Sequence, residues 1–214
     1  MPETPRNTML VCALSALAGY VDGIGYLYLG GLFVSFMSGN STRMGVELAQ
    51  GEFGSAAEAL GLVVLFVIGA GCGSLIVLGH DRYRQSWLLL AEAVLLLFAG
   101  LSTTFGLGNV SIAAITLAMG LENAMFQIAG GGGLGVTYVT GALVKVGQLL
   151  AAWLTGRGER SAWVPNLLLW AALVAGSVCG ALAYHWIDLA AVWPAAAGAL
   201  ALAAYVAFDV GRGH

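Results

Sequence analysis

The chain has 214 residues, 59 % of them hydrophobic and only 9 % charged, with a formal net charge of −3. Soluble domains average about 45–50 % apolar and about 25 % charged residues, which excludes a water-soluble globular fold. The composition calls instead for an all-α, polytopic membrane helix bundle with the lipid bilayer as its principal partner.

In chain order, the first apolar helix is expected near 9–29. Arg6 precedes it, and an Ala16-Leu17-Ala18 triplet would suit signal peptidase. Cleavage there would cut into the first copy of a repeat that begins at Gly19, so an uncleaved first span is expected. Asp22 lies about midway along this span. Gly30-Gly31 then interrupt the apolar run and introduce segment 33–50, which carries Ser38, Asn40, Ser41, Thr42 and a central Arg43. Apolar helices follow near 59–79 and 87–106, the second holding Glu92 early in its length, where it would reach the interface. The next helix, 110–128, has Glu122 and Asn123 near its middle. A second glycine cluster, Gly130 to Gly133 with Gly135, introduces segment 136–155 with Thr137, Thr140 and a central Lys145. Two final helices are expected near 163–184 and 188–208. Runs of about 20 apolar residues are what a hydrocarbon layer of about 30 Å requires.

The chain repeats itself. Gly19-Tyr20-Val21-Asp22-Gly23 returns as Gly120-Leu121-Glu122-Asn123-Ala124, and the stretch from Ser38 to Gly45 returns from Thr140 to Gly147. Gly69-Ala70-Gly71-Cys72-Gly73 is echoed by Gly176-Ser177-Val178-Cys179-Gly180. A single membrane domain, 1–214, thus divides into a first repeat, 1–108, and a second, 109–214. Segments 33–50 and 136–155 read as broken or re-entrant helices, tolerated at membrane depth when protein or a watery cavity covers them.

Loop charges set the orientation, because Lys and Arg in short loops favour the cytoplasm. With both special segments re-entrant, six spans remain, and Arg6, Arg82, Arg84, Arg157, Arg160 and Arg212 all face the cytoplasm, together with both termini. If both crossed fully, Arg82 and Arg84 would move outside. Three spans per half invert the second half relative to the first. The acidic loop with Glu47, Glu52 and Glu58 would then face out, and its counterpart with Arg157 and Arg160 in.

An ionised residue at the bilayer centre costs about 2.5–3.5 kcal/mol on the mildest scales, so such groups face a bundle interior or cavity. Asp22, Arg43, Glu122, Asn123 and Lys145 therefore mark a candidate midplane site at the repeat interface. Asp22 and Glu122 would carry protons or cations, and Arg43 and Lys145 would contact anions. Ser38, Asn40, Ser41, Thr42, Thr137 and Thr140 would add neutral hydrogen-bonding groups. The structural alternative is a pair of buried ion pairs, Asp22–Arg43 and Glu122–Lys145, pinning each broken helix to its neighbour. The function expected is small-solute transport, with proton coupling open. A channel with two re-entrant segments and a structural or assembly subunit are the alternatives.

Other features exclude more than they suggest. Cys12, Cys72 and Cys179 lack paired spacing and read as small buried packing residues, with no disulfide and no metal site. The run Gly130 to Gly133 lacks the Gly-Lys-Ser/Thr ending of a phosphate loop. No nucleophile–base pair is visible, so no enzyme activity, cofactor or nucleic-acid partner is expected. Gly69/Gly73 and Gly176/Gly180 have the small-x-x-x-small spacing of close helix packing, within one chain or in a homodimer. His80 and His185 close apolar runs as interfacial anchors.

The motifs Gly19-Tyr20-Val21-Asp22-Gly23-Ile24-Gly25, Ser38-Gly39-Asn40-Ser41-Thr42-Arg43 and Thr137-Tyr138-Val139-Thr140-Gly141 resemble those of the YoaK family of bacterial inner-membrane proteins, a domain of unknown function. The resemblance covers essentially the whole length. It implies a membrane protein of about six spans, often described as a transporter, and supplies no substrate. The family pattern has Thr before the glycine and Asn-Thr after it, where this chain has Ser38 and Asn40-Ser41. Hydroxyl residues usually follow the second glycine, where Ala142 and Leu143 stand here.

Overall fold

A computed structural model describes residues 5–78, 83–125 and 139–212, and no strand occurs among them. The helices are α1 (Pro5–Tyr28), α2 (Met37–Gln50), α3 (Phe53–Leu78), α4 (Arg84–Thr104), α5 (Gly108–Glu122), α6 (Val139–Leu154), α7 (Val164–Ile187) and α8 (Val192–Arg212), with a 3-10 turn at Asp188–Ala191. His80, Arg82, the glycine cluster from Gly130 to Gly135, Thr137 and Tyr138 lie outside the described residues.

Among the described residues, four stretches are long and apolar enough to cross a membrane. The last, Val164–Val210, has 47 residues, about 70 Å of helix and far more than one crossing of a layer about 30 Å thick. It contains α7, the 3-10 turn and α8, and the chain breaks direction at Asp188, the one described non-glycine residue with positive φ, 49°. Two crossings therefore lie in that stretch. The protein is a multi-pass membrane protein.

Three expected elements differ in extent. α3 begins at Phe53, six residues before the expected start, because Gly51, at φ 83°, ends α2 and the next helix restarts at once. α5 stops at Glu122 and gives way to a turn at Asn123. The special segments are short. α2 has 14 residues and α6 has 16, about 21 and 24 Å, less than the hydrocarbon thickness.

The helices pack as α1 on α7, α3 on α5, α4 on both α5 and α8, α1 on α8, α2 on α3 and α6 on α7. Reading α5, α6, α7 and α8 for α1, α2, α3 and α4 turns each of these contacts into another of the same set or, for α4 on α8, into itself; the smaller α3–α4 contact has no comparable α7–α8 counterpart. The glycines show the same correspondence atom by atom. A Cβ on Gly19 would strike the Leu173 carbonyl, one on Gly176 that of Ala16 and one on Gly180 that of Tyr20. On the other pair of helices, Gly120 meets the Phe66 carbonyl, Gly69 that of Leu117 and Gly73 that of Leu121. Each contact maps onto its counterpart by the offsets of 101 residues (α1 to α5) and 107 residues (α3 to α7).

Lipid tails give no hydrophobic drive between helices, so backbone approach at small residues holds such pairs together. The small-x-x-x-small motifs are thus occupied within the chain. Their neighbours Cys72 and Cys179, expected to be buried, are exposed because the glycines take the packing face of α3 and α7. α5 is the central helix, buried from Ser111 to Glu122 along most of its surface.

Candidate functional site

α1 ends at Tyr28, and Gly30 and Gly31, at φ 62° and 106°, turn the chain back. Such left-handed backbone is open to glycine at little steric cost. Residues 32–36 then run beside α1 without helical hydrogen bonds of their own, with Leu32, Val34 and Ser35 buried. A non-helical segment buried in a membrane protein must have its polar backbone satisfied by neighbouring groups. Three side chains do this.

Asp22, 8 % exposed, accepts hydrogen bonds at Oδ1 from the backbone N–H groups of Val34 and Ser35, each at 2.8 Å, and at Oδ2 from the Ser35 hydroxyl at 2.5 Å. Asn40, fully buried on α2, accepts from the Phe33 N–H at 2.9 Å and donates to the Phe33 carbonyl at 2.7 Å. Arg43 donates to the Gly30 carbonyl at 2.6 Å and to Glu47 Oε1 at 2.7 Å. The Asp22–Arg43 ion pair considered from the sequence does not form. Glu47 lies one turn along α2 from Arg43 and takes its charge, while Asp22 is committed to the backbone of the segment.

The remaining residues separate into two groups. Ser41 and Thr42 are exposed and donate back to the carbonyls of Met37 and Ser38, a common use of hydroxyls inside a helix. Ser38 is exposed as well, and its carbonyl receives Thr42. Lys145 is exposed on α6 and makes no ion pair with Glu122, which is 1 % exposed at the end of α5. The second ion pair considered from the sequence therefore does not form either. Asn123 donates to the Met119 carbonyl at 2.8 Å.

Between α1, the 32–36 segment, α6 and α7 lies a cavity of about 300 Å³. Asp22, Ser35, Thr140 and Ser177 supply its polar groups, and Phe33, Phe36 and Trp170 its rings; Val139, Leu143 and Leu173 complete the wall. No Lys or Arg among the described residues lines it, so Arg43 and Lys145, expected as anion contacts, stand outside this cavity. Of the residues singled out from sequence, Asp22 and Thr140 meet in this cavity. Asn40 and Arg43 hold its wall from behind, and Glu122, Asn123 and Lys145 lie apart from it.

Ser35, Trp170 and Ser177 carried no motif signal of their own. Ser177 could have been found, since it sits inside the glycine repeat of α7 and its carbonyl is the atom a Cβ on Gly23 would meet. A larger groove of about 580 Å³ between α1, α7 and α8 is almost wholly apolar and carries no comparable constellation.

Glu92 also differs from expectation. It is fully buried rather than interfacial, because the face of α4 on which it lies packs against α5 and α8.

Comparison with known proteins fixes the family. The family model described as "Protein of unknown function (DUF1275)" matches residues 10–205. The chain belongs to the DUF1275 family. This DUF1275 member is 36 % identical over 203 residues to UPF0700 transmembrane protein RA0705 of Rhizobium meliloti (strain 1021), covering 95 % of this chain and 87 % of the relative. It is 27 % identical over 199 residues to UPF0700 transmembrane protein YoaK of Bacillus subtilis (strain 168), covering 85 % and 87 %. The resemblance read from the motifs is thereby borne out. No solved structure matches the chain.

Proposed function

We propose that this DUF1275 protein is a small-solute transporter whose site is the Asp22 cavity. In this reading two three-span halves of opposite orientation lie in the bacterial cytoplasmic membrane, with both termini in the cytoplasm. The observation that carries it is the make-up of the cavity: α1 and its broken continuation come from one half, α6 and α7 from the other, and Asp22 is the acid at their meeting. Discontinuous helices at a repeat interface are where transporters of this plan bind their solutes. The exchanged helix contacts and the glycine register support the paired halves.

The lining suggests the solute class. One carboxylate, three aromatic rings and no cation favour a small organic cation, held by charge and by the faces of the rings. Saturable uptake of radiolabelled methylammonium or guanidinium into proteoliposomes is expected. It should be abolished by Ser177→Trp, which fills the cavity, in protein that still elutes as a single folded species. Wild-type uptake no greater than in empty liposomes for both probes would remove the reading. Orientation has its own check. Cysteines placed by Glu52→Cys and Glu159→Cys should label from opposite sides of the membrane, and labelling from one side would dissolve the inverted arrangement.

A further inference from the structure

We propose that Glu92 of α4 and Glu122 of α5 form a second site, a carboxyl pair that holds a proton between its two side chains. It deepens the transport reading by supplying a place for a coupling proton, and rests on that reading only for its use.

α4 and α5 make a hairpin closed by Phe105-Gly106-Leu107, with Gly106 at φ 72°. Glu92 precedes the end of α4 by twelve residues and Glu122 follows the start of α5 by fourteen. At 1.5 Å per residue both lie about 18–21 Å from the turn, at one level of the bundle. α4 packs against α5, so the two acids share one helix interface. Glu92 is fully buried and Glu122 is 1 % exposed. Both oxygens of Glu92 and Oε1 of Glu122 lack any hydrogen-bond donor among the described residues.

The surroundings offer no counter-charge. On α1, α3, α4, α5 and α8 the basic residues are Arg6, Arg84 and Arg212, each at a helix end. Asp22 is the buried acid of α1. Tyr20 on α1 is half-buried, and Asp209 lies partly buried near the far end of α8. Glu58 and Cys72 on α3, Tyr205 on α8 and Asp188 on the 3-10 turn are exposed. Two carboxylates in this setting would be desolvated like charges with three of their four oxygens lacking a donor, a strongly unfavourable state for such a pair. A metal cation would need about six oxygen ligands, and the described residues bring two carboxyl groups. A proton needs only those two.

The fold itself does not ask for acids here. By the 101-residue offset the place of Glu122 is taken in the first half by Val21, which is equally buried. α1 meets α8 there, though far less extensively than α5 packs on α4. The corresponding position in the first half is apolar, so the repeat itself does not require an acid.

Infrared spectroscopy of the unmutated protein in lipid bilayers at neutral pH tests the site. A carboxylic-acid C=O band is expected, shifted when the protein is made with ¹³C-carboxyl glutamate and lost in the Glu92→Gln/Glu122→Gln double variant. That variant is close in shape to the protonated pair and should keep the wild-type elution profile. No acid band in the wild type, or a band that ignores glutamate labelling, overturns the proposal. The band is read without any flux. A labelled band in protein that transports neither probe keeps the pair and removes the transporter, whereas saturable uptake without the band does the reverse.

Discussion

The helices that open the two halves, α1 and α5, are held alike and finished differently. Both are gripped by a glycine-bearing partner, α7 or α3, through carbonyl contacts in the same register. Both carry an acid one turn or less beyond the gripping glycine. Asp22 accepts three hydrogen bonds from the segment that follows its helix, whereas Glu122 has an oxygen with no donor. Identical packing thus tolerates an acid that organises its surroundings and one that does not. Burial of a carboxyl group alone does not reveal its task; its donors do.

The largest effect expected is on what the two helices share. Gly19→Val and Gly120→Val each push a branched side chain into a backbone carbonyl, which no rotamer relieves. Overpacking costs about 1–3 kcal/mol and more when backbone must move, so both variants should fall at the upper end. Loss of the monodisperse peak in detergent, equal for the two, is the measurement; survival of one alone would break the equivalence of α1 and α5. Next comes the difference between the acids. Asp22→Ala leaves two buried N–H groups without acceptors, at about 1–3 kcal/mol each, and should lower the melting temperature sharply. Glu122→Gln removes no donor–acceptor bond seen here and should change stability by less than about 1 kcal/mol. Equal losses from the two would mean that Glu122 is as much a structural anchor as Asp22.

Much of the bundle was legible because membrane burial writes itself into composition. Charge-free runs such as 189–208 leave little choice but a span, and the echo of Gly69/Gly73 in Gly176/Gly180 marks real packing faces. The site was less legible, because partner choice depends on distances a linear chain does not fix. Arg43 looked like the mate of Asp22 as the nearest conspicuous opposite charge, yet Glu47 is its neighbour one turn on. Glu92 looked interfacial by its position in the span, and only the pairing of α4 with α5 buries it. Trp170 and Ser35 had no signal, since a cavity is made by the elements that meet around it.

Smaller effects sharpen the picture at the 32–36 segment. Asn40→Ala frees both the N–H and the carbonyl of Phe33 and should cost roughly 1–2 kcal/mol. The melting temperature should fall accordingly, and an unchanged value would show that these two bonds do not hold the segment. The smallest effect belongs to Glu47→Gln. The Arg43 side chain is 38 % exposed and that of Glu47 10 %; the Gln amide keeps an oxygen for the Arg43 N–H, so the change removes charge but not the bond, and stability should fall by less than about 1 kcal/mol while Arg43 still donates to the Gly30 carbonyl. Arg43→Ala removes both contacts and should exceed Glu47→Gln. A Glu47→Gln variant as damaged as Arg43→Ala would place the weight of this corner on the ion pair rather than on the turn, and the contrast between a donor-rich first half and a donor-poor Glu122 would then rest on Asp22 and Asn40 alone.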